Sequence, residues 1–91
     1  MLIFVLVKQT LDTGVLEFEW FENEKDAVGA FNEFIVSSER KTNNCKLLET
    51  TVPSENVEKH VQDNLETIYN QQKPLLRLIY KERNRNDTTR R

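Results

Sequence analysis

Few side chains in this sequence have the type and spacing to do chemistry. They are Asp12 in the triplet Asp12-Thr13-Gly14, the carboxylates Glu17 and Glu19 two positions apart, the single histidine His60 and the single cysteine Cys45. A carboxylate acts as a general acid only where burial raises its pKa enough to hold a proton. The stretch Val15 to Glu22 (VLEFEWFE) alternates, which sets Leu16, Phe18 and Trp20 on one side of a strand and Glu17, Glu19 and Phe21 on the other. Glu17 and Glu19 are therefore expected on an open face rather than in a cleft. His60 has no second histidine or cysteine beside it, and Cys45 lacks the companions of a zinc site. No nucleophile is paired with a base, no glycine-rich phosphate loop or CxxC pair occurs, and neither catalysis, a metal nor a cofactor is expected.

The triplet Asp12-Thr13-Gly14 is similar to the catalytic triplet of the aspartic proteases, whose retroviral-type members are homodimers of about this length. That family also needs a glycine-rich flap and a mostly β fold. Two glycines in total and a helical second half do not supply them. The triplet reads instead as a hairpin turn, with Gly14 in the left-handed conformation that closes a type I turn with a bulge.

These residues must be positioned by elements that follow from periodicity. Leu2-Ile3-Phe4-Val5-Leu6-Val7 is an unbroken apolar run, the mark of a strand covered on both faces. It is too short to cross a bilayer and has neither the basic start nor the cleavage site of a secretory signal. Asn23 is placed to cap a helix to about Ser38, with Glu24 and Asp26 in its first turn and Ala27, Ala30, Phe31, Phe34 and Ile35 on its apolar stripe. Gly29 inside that helix suggests close packing on the sheet. Cys45 to Val52 reads as a third strand stopped by Pro53, and Ser54 as the cap of a helix over Glu55 to Gln72 with its stripe at Val57, Val61, Leu65 and Ile68. Leu75 to Lys81 reads as a last strand, with Leu75, Arg77 and Ile79 on one face, and residues 82–91 as a flexible basic tail.

The expected fold is α+β: a single domain over 1–81 in ββαβαβ order, built as a two-layer sandwich with both helices on one face of a four-stranded sheet. The second sheet face would then be open and apolar. A large exposed apolar patch usually marks an interface.

Apolar residues at 37% and charged residues at 31% suit a globular chain, and one cysteine suits a reducing, cytoplasmic setting. Charge is uneven. Residues 1–80 carry 8 basic and 13 acidic side chains, net -5, while residues 81–91 carry 5 basic and 2 acidic, net +3. The expected function is a small non-enzymatic protein-binding module, a regulator or inhibitor by analogy with phage and plasmid accessory proteins. It would act through Glu17, Glu19, Phe21, Leu75, Arg77 and Ile79, binding another protein or a second copy of itself as a homodimer. The alternative is nucleic-acid binding through Lys81, Arg83, Arg85, Arg90 and Arg91. No membrane is expected as a partner.

Overall fold

The N-terminal apolar run forms the spine of the molecule. In the computed structural model, which describes residues 1–71 and 73–79, it is the core of strand β1 (Leu2–Thr10). β1 is flanked on both sides by antiparallel partners, β2 (Leu16–Phe21) and β3 (Asn43–Thr51), and β4 (Leu76–Leu78) adds to the far side of β3, so the sheet order is β2-β1-β3-β4. The β1–β3 pairing runs over nine positions from Leu2↔Thr51 to Thr10↔Asn43 and forms the central seam. The expected α+β class and four strands describe this molecule.

The turn between β1 and β2 closes as its residues dictate. The Gly14 amide donates to the Thr10 carbonyl at 2.7 Å, the Thr10 amide to the Val15 carbonyl at 3.0 Å, and Gly14 takes φ +74°, which a side chain would resist. Helix α1 (Glu24–Val36) begins at Asn23, whose side-chain oxygen accepts from the amides of Lys25 at 2.8 Å and Asp26 at 3.4 Å. It ends at Ser37, whose hydroxyl and amide both donate to the Phe34 carbonyl. A single 3-10 turn, Ser38–Lys41, then leads into β3.

The arrangement of helices differs from the expected two-layer sandwich. Ile3, Val5 and Val7 of β1, with Leu48 of β3, pack beneath Val57 and Val61 of α2 (Val57–Asp63) and Leu65, Ile68 and Tyr69 of α3 (Leu65–Tyr69). Phe4 and Leu6, with Cys45 and Leu47, pack on the other face beneath Ala27, Phe31 and Phe34 of α1. α1 therefore covers one face and α2 with α3 the other, so the expected uncovered face is filled by the chain itself. Strand directions explain this. β2 and β3 both run antiparallel to β1, so they are parallel to each other and α1 connects them across it. β3 and β4 are antiparallel neighbours, and a hairpin-like connection carries no crossover rule that would force its helices onto the same side.

Smaller departures have local causes. The helix expected over Glu55 to Gln72 is two helices, broken at Asn64, whose side-chain amide donates to the His60 carbonyl at 2.8 Å in competition with the backbone. The apolar stripe continues across the break. Ser54 is not the cap, because α2 starts after Asn56, which sits at φ 54° in the left-handed region that asparagine tolerates. Gly29 does not pack against the sheet; it is exposed. Gln72 and residues 80–91, including the end of the expected last strand and the basic tail, lie outside the described residues.

The two covered faces can be tested separately. Leu47→Ala and Leu48→Ala, fully buried on opposite sides of β3, should each lower unfolding stability by about 2–5 kcal/mol in denaturant titrations, since each opens a cavity in a different cluster. An open second face would make one of them nearly silent. The two glycines should respond with opposite signs. Gly14→Ala forces a side chain into the left-handed region at a cost of about 1–2 kcal/mol, while a methyl at Gly29 meets nothing within 4 Å and should add about 0.4–1 kcal/mol.

Candidate partner-binding groove

α1 lies over the seam of β1 and β3 and leaves the edge strand β2 projecting beyond it. Phe4, Leu6 and Lys8 of β1 stand opposite Phe21, Glu19 and Glu17 of β2, so those three β2 side chains share the α1 face. Between α1 and this ledge runs an open groove of about 610 Å³. Its apolar floor is Leu6, Phe21 and Phe34, and Glu19, Asp26, Glu33 and Glu39 stand along it with Lys8 and Lys25.

One end of the groove is set by an ion pair. The Lys8 Nζ meets Glu39 Oε2 at 2.9 Å and lies 5.9 Å from the centroid of the Phe34 ring. Glu39 is held by the 3-10 turn: its amide donates to the Ser37 hydroxyl at 3.2 Å, and its carbonyl accepts from Asn43 Nδ2 at 3.2 Å. Burial alone would lower the Lys8 pKa. The hydrogen bond and charge of Glu39, joined by the charge of Glu19, outweigh it and raise the pKa above its ordinary value.

The charge around this groove is in acidic excess, with four carboxylates against two lysines in its lining. Residues 12–39 carry eight acidic side chains and one basic one, Lys25, net -7. The rest of the chain is net positive, and the stretch's acidic groups lie on β2, on α1 and on the loops and turns that join them. Such a field favours cationic partners and repels phosphate backbones. This concentration was readable in the sequence. The helix residues Asp26 and Glu33 and the Lys8–Glu39 pair were missed, because only the sheet register and the docking of α1 bring them beside β2.

The six residues expected to form one docking surface do not come together. Glu17, Glu19 and Phe21 are on the α1 face at the β2 edge. Arg77 pairs across from Lys46, and Leu78 packs with the α1 cluster, so Arg77 is on the α2–α3 side at the opposite edge of the sheet, and Leu75 and Ile79 flank β4 there. Alternation was read correctly within each strand, but the relative placement of the strands cannot be read from it. Lys81, Arg83, Arg85, Arg90 and Arg91 lie outside the described residues.

The other chemistry-bearing residues stand apart from the groove's open side. Asp12 is exposed at the hairpin tip, in a turn stabilised by the Val15 amide donating to the Thr13 hydroxyl at 3.3 Å. His60 is half-buried on α2, beyond the opposite face. Among the described residues no group of three histidine, cysteine or acidic side chains could hold a metal ion, and no helix is long and apolar enough to cross a membrane. Cys45 is buried beneath α1, and burial pushes its thiol up to about 12, with the nearby charge of Lys8 opposing the shift.

Both Cys45 and Lys8 hold their protons more tightly when folded. The unfolded chain releases those protons first as pH rises, so stability should be constant near neutrality and decline from about pH 9 upward. Cys45→Val should remove the earlier part of that decline in denaturant midpoints measured from pH 7 to 10.5. Native Cys45 should resist iodoacetamide at pH 8 and react only on unfolding.

A scan against protein-family models found no match, and searches of curated proteins and of solved structures returned none either.

Proposed function

We propose that the protein is a non-enzymatic binding module whose α1–β2 groove receives a basic segment of another protein. The observation that carries this reading is the combination of an apolar floor, Leu6, Phe21 and Phe34, with four carboxylates against the two lysines Lys8 and Lys25 along its length. Apolar floors supply affinity through burial, and a rim of one charge sets partner choice and speeds encounter. Exposed carboxylates that merely solubilise a surface need no such floor beneath them.

A regulator or inhibitor would work in this way, by occupying a basic segment that its owner needs free. The reading rests on a partner of different sequence rather than on a homodimer, because the sheet face expected to join two copies is filled by α2 and α3. Glu17, Glu19 and Phe21 remain as contact residues, joined by Asp26, Glu33 and Phe34.

The test is binding of a flexible arginine–glycine peptide against its glutamate–glycine counterpart, followed by fluorescence anisotropy. The basic peptide should bind and the acidic one should not. Raising salt past 0.15 M should weaken binding, as expected when the Debye length falls below about 8 Å. Glu19→Lys combined with Glu33→Lys should weaken it by about tenfold or more, equivalent to about 1.4 kcal/mol, with the circular dichroism unchanged. Equal binding of both peptides would overturn the reading.

A further inference from the structure

The outer edge of β2 adds a second feature to the same groove. β2 is the terminal strand of the sheet, and among the described residues no strand pairs with its outer side. Exposed edges are commonly protected by charged side chains, above all lysines, or by prolines, bulges or short length. β2 runs six residues, Leu16–Phe21, in unbroken register with β1 and contains neither lysine nor proline; its charged side chains are Glu17 and Glu19, which repel an acidic strand but not a basic one.

Its side chains define what could pair there. On the α1 side stand Glu17, Glu19 and Phe21; on the other side stand Leu16, Phe18 and Trp20, only partly buried against the α2–α3 cluster. A strand added at roughly 4.8 Å from β2 would place its alternate side chains directly beside these two rows. The first row calls for cations and the second for apolar groups.

We infer that β2 is the docking edge for an extended segment of alternating basic and apolar residues, which adds as a fifth strand with its basic side chains toward the groove. This rests on the proposed binding of a basic partner and specifies the partner's conformation and pattern. A second copy of this chain fits the edge poorly, because β2 against β2 sets glutamates against glutamates, and directly opposed like charges are destabilising. The chain's own residues 82–91 (ERNRNDTTRR) offer arginines but no apolar residue to alternate with them. Added strands gain affinity from main-chain hydrogen bonds and specificity from alternate side chains.

The experiment adds an octapeptide alternating arginine and valine to the full chain, with hydrogen exchange at β2 followed by NMR. A peptide of the same composition with its arginines and valines in separate blocks is the control. Exchange should slow at every second amide of β2 with the alternating peptide, and the blocked peptide should bind about tenfold more weakly. Glu17→Gln with Glu19→Gln should remove the preference for arginine over glutamate in the alternating peptide. Binding that leaves β2 exchange unchanged and perturbs only α1 and Lys8, or equal affinity for the two peptides, would overturn strand addition and leave the groove reading standing. Loss of binding to every basic peptide would overturn both. Protection of the outer β2 amides before any peptide is added would assign the edge to the chain itself or, if it grows with concentration, to a second copy, and would overturn the inference.

Discussion

Five consecutive fully or nearly fully buried residues, Ile3 to Val7, constrain everything else in this molecule. A strand that is apolar on both faces must lie inside a sheet and must have cover above and below. In a chain of 91 residues the cover has to come from a few elements, and here each face receives its own helical layer. The side chains of β3 repeat the demand: Leu47 and Leu48 are adjacent, both fully buried, and belong to opposite clusters. The β1–β3 pair is thus a two-sided core. The edge strands β2 and β4 are the places where one face, or an edge, meets water.

That division explains where a surface is available. α1 is narrower than the sheet it covers and is centred by Ala27, Phe31 and Phe34 on the β1–β3 seam. β2 lies outside that seam, so its α1-facing row needs no buried hydrophobes and carries Glu17 and Glu19 instead. Phe21 and Phe34 bound the uncovered strip between ledge and helix, and Lys8, the first charged residue of β1, closes one end of it by pairing with Glu39. The groove is a consequence of covering a four-stranded sheet with one helix. Its acidity is the part that packing does not require.

Local features were legible in the sequence because each depends on a few neighbouring residues. Asn23 caps because its side chain reaches two amides in the next turn, and Gly14 closes the hairpin because it alone accepts the left-handed conformation there. The alternation of Leu16, Phe18 and Trp20 against Glu17, Glu19 and Phe21 needs only a pleat. What periodicity cannot carry is the placement of one element relative to another. The stripe Val57, Val61, Leu65 and Ile68 declares that a helical segment has an apolar side, yet it is silent on which sheet face that side will meet. Reading two stripes as one layer produced an open face that the molecule does not have. The same gap split the expected site, since Leu75, Arg77 and Ile79 could be joined to Phe21 only by assuming a strand order.

The sequence did hold a signal for the groove, in the density of charge rather than in its period. Eight carboxylates against one lysine between Asp12 and Glu39 cost the fold some self-repulsion, because the segment is condensed into one edge strand and one helix. Among the described residues, Glu39 is matched by Lys8 from the core strand. Solubility alone would be met by mixed charges spread over the surface. On the proposed reading, a predominantly acidic field, held over an apolar floor and beside the outer edge of β2, would be balanced by a cationic partner, and the edge and floor would determine the shape in which that charge is accepted.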